Sequence, residues 1–502
     1  MRTLKPSPLV QAAGLYALCF ALLSIIIFAT PAFLGTDDYY HARVAAEIID
    51  QRRLALDFVW LPLTILSPDR FVDHHLLFHL AIAPFVALAG VTGAKLATAA
   101  VAAGVITTAW ALLRQIGVRY PALWALGLFA VSTPFLYRML MVRTQGASLL
   151  LLILTLCALF ARRYRWMLAL GFAYVWLYNG FILMLILATA YSAAVWIADR
   201  RLELRPVAYT LGGIMLGLII NPYFPQNIQF IFDHLLAKVD LASSVRVGNE
   251  WYPYDTDVLM TNSTGALIAM AVGLLAPSFS KRPRDRVETN LLLTALITLF
   301  MVFRSRRFIE YFPAFALLFC AASWGRGGVD IAAFLPASPR FRPLIALLGA
   351  AALLGLGVRT YTTTLDDARA AIEPEYFAGA SAWLRDNTPP GAMVFQTDWD
   401  DFTRLFYHNT NNVYLVGLDP TYLERADPEL WNTWVAITRG EIADPSHIIR
   451  SSFNAEYVVS DASHDAFRDQ AAADVAMELV YRDRYNYVWH LTSDTVESTR
   501  SP

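Results

Sequence analysis

The sequence predicts a polytopic α-helical membrane protein with a C-terminal soluble α/β domain. Three observations carry this. Of 502 residues, 57% are hydrophobic and 16% charged, where a soluble domain carries about a quarter charged residues. The apolar residues gather in runs long enough to cross a bilayer, separated by short loops rich in arginine and lysine. From Tyr361 onward the runs stop and a polar, mixed composition of ordinary domain size begins. The net charge of −1 gives no sign of nucleic-acid binding. Cys19, Cys157 and Cys320 all fall inside apolar runs, which excludes a disulfide framework or a zinc site and leaves them as packing residues.

In chain order, the basic Met-Arg-Thr-Leu-Lys start precedes an apolar run over 8–34. That run is too long for a typical signal peptide, so it reads as an uncleaved first span. Basic clusters at 114–119, 162–165, 200–205, 281–286 and 326–342 should all lie on the cytoplasmic side. Counting 76–90 as a span would flip every one of them outside. Residues 35–93 are therefore expected as one external loop, with 76–90 a helix lying in the membrane surface. Further spans are expected at 95–113, 120–139, 147–161, 166–180, 182–198, 206–221, 258–276, 288–303, 307–324 and 342–358. With the first they make about eleven, an odd number that leaves the C-terminus outside. External loops follow at 138–146 and 221–257. No internal repeat is evident, unlike inverted-repeat transporters. The domain division expected is 1–360 and 361–502. In the tail, 392–396, 413–417, 457–460 and 487–491 read as strands, 375–387 and 420–436 as helices.

Five polar features fall on the external side of this topology. The first is 35–43, where Asp37, Asp38, Tyr39, Tyr40, His41 and Arg43 meet the mouth of the first span. Carboxylates and aromatic rings at headgroup depth suit a substrate with its tail in lipid and its phosphate in water. The plainer reading is that Asp37 and Asp38 end the span. Second, Asp73, His74 and His75 with His79 combine metal-ligating types, and His75 and His79 share a helical face; they also suit an interfacial segment. Third, Glu250 lies beside Trp251 and Tyr252, fit to hydrogen-bond a substrate whose face rests on the rings, or else part of an aromatic belt. Fourth, Arg306 and Arg307 open a span on the side where arginine is disfavoured. A phosphate would explain them, and headgroup snorkelling is the alternative. Arg138 and Arg143 face the same choice. Fifth, Asp398, Trp399, Asp400 and Asp419 follow expected strands, at the end where α/β sheets gather ligands; Asp is also common there as a turn former.

The order of these features resembles the GT-C glycosyltransferases, and among them the catalytic subunit of oligosaccharyltransferases. Thr-Asp-Asp-Tyr-Tyr-His-Ala-Arg is similar to that family's first external loop motif. By that register the resemblance implies that Asp37 is the catalytic, metal-binding carboxylate. It likewise implies that Glu250 is the acceptor-orienting glutamate of the large external loop, and that Arg307, near Tyr311 and Pro313, contacts the donor phosphate. Thr-Asp-Trp-Asp-Asp-Phe at 397–402 resembles the Trp-Trp-Asp acceptor motif, carried by Trp399 and Asp400. Two places depart from the pattern. The second external loop of the family holds a carboxylate metal motif where this chain reads Arg143-Thr-Gln-Gly-Ala, and the first Trp of the acceptor motif is Asp398. A divalent cation, Mg or Mn, would then rest on Asp37 with Asp73 and His74.

The function expected is transfer of a sugar or oligosaccharide from a polyprenyl-phosphate or pyrophosphate donor to a glycan, lipid or protein acceptor. It would occur on the external, periplasmic side of the inner or plasma membrane. Asp37 would act as general base or cation ligand, with Asp38 and Glu250 assisting. Arg306, Arg307, Arg138 and Arg143 would bind the phosphate. Tyr39, Tyr40, His41, Trp251, Asp398, Trp399, Asp400 and Asp419 would bind the acceptor. Two other classes compete: a secondary transporter, which should carry mid-span charges, and a non-catalytic protein that binds lipid-linked glycans. A lipid phosphatase lacks a nucleophile pattern here.

Overall fold

The computed structural model describes residues 7–239, 248–279, 283–326 and 342–492, without the side chains of 235–239. The basic clusters expected at 281–286 and 326–342 therefore lie partly, and almost wholly, outside the described residues. The chain forms two compact units. One comprises Met1–Leu34, His74–Asn227 and Gly248–Ala371; the other comprises Gly35–Asp73, Ile228–Val247 and Ile372–Pro502.

The first unit is helical. Pro8–Ile27, Leu76–Gln115, Asn179–Asp199, Arg286–Arg304 and Arg342–Arg369 are long and apolar enough to cross a membrane. Thr256–Asn262 and Thr264–Phe279, bent by 83°, form a sixth if they act as one span. Gln145–Phe160, Trp166–Leu177, Arg205–Ile219 and Phe312–Gly325 are shorter apolar helices. The chain is thus a multi-pass helical membrane protein; among the described residues five helices, or six with the bent pair, are long enough to span, and the expected count of about eleven is not confirmed. The span expected over 120–139 is broken into Pro121–Leu126, a 3₁₀ turn and Thr133–Arg138. The break has a local cause: Ser132 is extended, its side chain accepts the Phe135 N–H, and Pro134 lies in the first turn of the new helix.

The first span begins with Ser7 capping Val10 and Pro8 in the first turn. Its exit is tied by Lys95, whose Nζ donates to the Thr30 and Pro31 carbonyls at 2.8 and 3.2 Å. Lys95 is buried, so these bonds offset the cost of an ammonium group in an apolar interior. Tyr137 donates to the Leu34 carbonyl at 2.8 Å. Leu76–Gln115 is two helices joined at Ala89 and Gly90, where the dihedrals are non-helical. A Cβ added at Gly93 would lie 1.8 Å from the Phe85 carbonyl oxygen. Eight residues of straight helix rise about 12 Å, so the chain doubles back here. The bend falls where the sequence reading ended its surface segment.

The second unit holds a five-stranded sheet in the order β2-β1-β3-β5-β4. The strands are β1 Met393–Gln396, β2 Val413–Tyr414, β3 Ala455–Asp461, β4 Met477–Arg482 and β5 Asn486–Leu491. β1 is parallel to β2 and β3; β5 runs antiparallel to β3 and β4. Phe395, Trp434, Phe453, Phe467 and Trp489 form the centre of its core. The helix expected over 420–436 is two, Thr421–Ala426 and Pro428–Thr438. Asp427 is extended between them and accepts the Glu429 and Leu430 N–H groups. β4 was not expected.

The domain division also differs from the expected one. Arg342–Arg369 continues unbroken past Tyr361, and residues 35–73 group with the tail instead of with the helical unit. The reason is backbone pairing and aromatic burial. Trp60 donates its indole N–H to the Thr410 carbonyl at 3.0 Å, and Tyr414 N–H donates to the Trp60 carbonyl at 2.9 Å. Phe58 stacks on Phe71 at 4.2 Å and meets Phe406 at 5.8 Å.

Gly93→Ala is expected to destabilise the protein by about 1–3 kcal/mol, the usual cost of forcing atoms into a filled site. Gly14→Ala, inside Pro8–Ile27 with nothing within 4 Å of the new Cβ, should leave stability unchanged or raise it by up to about 1 kcal/mol. Thermal unfolding of the two variants in detergent checks the contrast.

Candidate active site

In the helical unit, five charged side chains from three stretches of chain meet. Arg138 ends Thr133–Arg138, and Arg143 lies in the turn before Gln145–Phe160. Glu250 sits in the 3₁₀ turn Asn249–Trp251, and Arg307 and Glu310 in the 3₁₀ turn Arg306–Glu310. Ser305 ties the two turns together: its hydroxyl accepts the Arg307 N–H and donates to the Glu250 carbonyl at 2.8 Å. Arg306 N–H donates to the Tyr252 carbonyl at 2.9 Å, completing the clasp.

Glu250 is the hub. Arg307 meets one of its oxygens at 2.8 Å; Arg138 and Arg143 meet the other at 2.9 and 3.4 Å. Arg138 also binds Glu310. Burial opposes ionisation of Glu250, but Arg307, Arg143 and Arg138 outweigh it and hold its carboxyl well below the usual carboxylate range. Arg307 lies 5.0 Å over Trp251 and 5.9 Å over Tyr178. Tyr178 stacks on His75 at 5.7 Å, and His75 reaches His79 at 6.0 Å. Arg306 is not part of this group. On the tight 3₁₀ turn its side chain leaves in another direction, donating to the Pro253 carbonyl at 3.0 Å and lying 5.4 Å over Tyr254.

Tyr311, next to Glu310, links this cluster to an apolar cleft. Its hydroxyl bonds Ser148 at 2.9 Å, and Ser148 bonds Tyr174 at 2.5 Å. The same Tyr311 lines a narrow apolar crevice of about 10 Å³, walled by Leu152, Leu187, Thr298, Met301 and Phe315 among others. A cationic cluster and an apolar trough thus share a wall.

In the second unit, Asp37 and Asp38 open the helix Thr36–Gln51, where the backbone dipole favours negative charge. Asp37 is half-buried; Asp38 is fully buried and accepts the Gly35 N–H at 3.1 Å. Asp38 is therefore engaged as a helix cap. Tyr39, Tyr40 and His41 are buried, which corrects the expectation that they face an acceptor. Tyr39 packs edge-on against Tyr407 at 5.3 Å and under Arg404 at 5.0 Å. Tyr40 packs near Phe406 at 6.2 Å, and His41 edge-on to Tyr40 at 5.4 Å. Tyr39 and Tyr40 seat this helix on Phe402–His408.

The tail candidates separate in the same way. Asp398 stands half-exposed at the end of β1, with His464 Nε2 at 3.9 Å. Asp461, at the end of the neighbouring β3, bonds His464 Nδ1 at 2.6 Å and accepts from Tyr376 at 2.8 Å. Asp400 is half-buried beside them, its N–H donating to Asp398 at 3.1 Å. Trp399 packs on the core. Asp419 is buried and bonds the Thr421 N–H and hydroxyl at 3.0 and 2.6 Å. These bonds form the turn that leads into Thr421–Ala426.

Among the described residues, no group of three or more His, Cys, Asp or Glu side chains is placed to hold a metal ion. Asp73 is buried, and the His74 ring lies 3.9 Å from that of His75, tilted by 43°. No step is derived through the cation expected on Asp37, Asp73 and His74.

The sequence reading missed Glu310, Tyr178, Asp461 and His464. Glu310 lies three residues after Arg307, within a stretch read only for its arginines. Asp461 ends an expected strand, with His464 one helical turn further on.

His408, on the helix that seats Tyr39, is pushed down to about 4 by burial and by the nearby Arg404. A neutral buried histidine with a lowered pKa contributes stability that is full above the unfolded value of about 6.5 and is lost as pH falls toward 4. His408→Gln should therefore flatten the decline in melting temperature between pH 6.5 and 4, measured against the parent protein.

No protein-family model and no curated protein sequence matches the chain. Solved structures do. The apo oligosaccharyltransferase of Archaeoglobus fulgidus aligns with a TM-score of 0.65 at 14% identity, over 97% of this chain and 75% of that one. ArnT from Cupriavidus metallidurans, bound to undecaprenyl phosphate, aligns with a TM-score of 0.58 at 17% identity, over 97% and 99%. The mycobacterial arabinofuranosyltransferase AftD aligns with a TM-score of 0.59 at 15% identity, over 98% and 42%. The chain has the fold of the GT-C membrane glycosyltransferases.

Proposed function

We propose that this protein is a membrane glycosyltransferase that takes a sugar or oligosaccharide from a polyprenyl-phosphate or pyrophosphate donor. The acceptor is a glycan, lipid or protein on the external side of the inner or plasma membrane, where the tail domain also lies. The observation that carries this reading is the shared wall at residues 310–311: a cluster of three arginines against an apolar cleft. The phosphate would sit on the arginines, with the isoprenoid tail running along the apolar helices that border the crevice. The fold likeness to transferases, one of them bound to undecaprenyl phosphate, supports the same class.

In the reaction proposed, the glycosidic C–O bond to the donor phosphate breaks and the phosphate departs with the bonding electrons. Arg138, Arg143 and Arg307, held by Glu250 and Glu310 before the donor arrives, are already oriented to stabilise that charge. Fixed donors of this kind need no reorganisation as charge develops. Asp37, the carboxylate that the family resemblance makes catalytic, is proposed to take the proton from the acceptor hydroxyl as the new bond forms. Asp398 and Asp400, half-exposed in the tail, are proposed to hydrogen-bond the acceptor. Arg306, bound elsewhere, is given no part.

Purified protein with a radiolabelled polyprenyl-linked sugar donor tests this. Arg307→Gln is expected to lower kcat/KM by roughly a hundredfold, the scale on which loss of one charge-stabilising donor is felt. Asp37→Asn should lower transfer at least as far; parental rates in that variant would refute the role given to Asp37. Mass spectrometry of glycolipids and glycoproteins from cells with and without the protein identifies the sugar moved.

A further inference from the structure

Three guanidinium groups converge on one carboxylate at Glu250, and this arrangement matches what a phosphate would require. Each guanidinium carries five N–H donors, and carboxylate and phosphate oxygens satisfy them with the same geometry. Arg307 holds one Glu250 oxygen at 2.8 Å, while Arg138 and Arg143 hold the other at 2.9 and 3.4 Å. A donor phosphate arriving at these arginines would therefore meet a bound anion. The two carboxylates of the cluster are not equivalent. The Glu310 side chain is 1% exposed and sealed against Arg138, whereas that of Glu250 is 24% exposed, the most open of the five charged groups.

We infer that Glu250 is a stand-in anion for the donor phosphate, and that the donor binds by exchanging its phosphate for the Glu250 carboxylate on Arg138, Arg143 and Arg307. This rests on the donor reading above. The exchange needs only side-chain rotation. The Glu250 backbone stays clasped by Ser305 at its carbonyl and by Arg306 at Tyr252. Glu310 remains on Arg138 throughout, so the site keeps one internal negative charge and the incoming group replaces the other. Glu250 thereby sets a requirement on the ligand. A neutral lipid alcohol cannot release the carboxylate without stranding the arginines in a poorly hydrated site, whereas a phosphate replaces every bond it breaks. The residue acts as a specificity determinant, and its removal should strengthen donor binding instead of weakening it.

The test is binding of farnesyl phosphate and farnesol to the full-length protein in detergent by isothermal titration calorimetry. Glu250→Gln keeps the size of the side chain and removes its charge. It is expected to tighten farnesyl phosphate binding by roughly tenfold or more, with farnesol unchanged. A gain of this sign does not arise from damage to the fold. Glu250→Asp, whose shorter carboxylate reaches the arginines less well, should also bind farnesyl phosphate more tightly than the parent, and serves if the glutamine variant does not fold. Equal or weaker binding of farnesyl phosphate by these variants overturns the exchange while leaving the donor site in place. If the parent and both variants bind farnesol as tightly as farnesyl phosphate, the donor reading itself fails, and the exchange with it.

Discussion

Placing three arginines in an apolar helical unit is the constraint on which the rest of the site depends. Each would be costly there if unpaired, since an isolated buried charge loses several kcal/mol of hydration. Glu250 and Glu310 remove most of that cost, and their positions dictate the local architecture. Two 3₁₀ turns, Asn249–Trp251 and Arg306–Glu310, are clasped through Ser305 so that a glutamate from one faces an arginine from the other. Thr133–Arg138 must then start afresh at Ser132, which brings Arg138 to both carboxylates. The broken helices around the cluster are what a membrane protein uses when polar groups must face inward.

The same charges that make the cluster tolerable also make it exchangeable. A buried ion pair is weak as a source of stability but strong as a determinant of arrangement. Here the arrangement keeps guanidinium groups aimed and ready, with one carboxylate sealed and one accessible. Below them, the hydroxyl chain of Tyr311, Ser148 and Tyr174 passes from charge to hydrocarbon, so the polar wall grades into an apolar cleft without an abrupt boundary. That gradation suits an amphiphile.

The second unit solves a different problem. Its sheet places Asp398 and Asp461 at the carboxyl ends of two adjacent parallel strands, with His464 between them. Burial would raise Asp461, but bonds from His464, Tyr376 and Ser463 hold its carboxyl well below the usual range, and the Asp461 bond in turn raises His464. The pair fixes that end of the sheet. Phe58, Trp60 and Phe71 show why residues 35–73 belong here: a loop so rich in aromatic residues must bury them, and the tail offers the surface.

Composition, apolar runs and residue types were enough to reveal a multi-pass helical protein, its α/β tail and three of the four expected strands almost to the residue, and they singled out Arg138, Arg143, Arg307 and Glu250, which the structure brings together. Those properties are local or periodic, so they are written in the order of the chain. The partners were not. That Glu250 meets three arginines up to 112 residues away, that Glu310 joins them, and that Tyr39, Tyr40 and His41 turn into packing surface are consequences of how distant elements meet. Arg306 and Arg307 are neighbours in sequence with the same chemistry. Only the pitch of a 3₁₀ turn decided that one enters the cluster and the other leaves it.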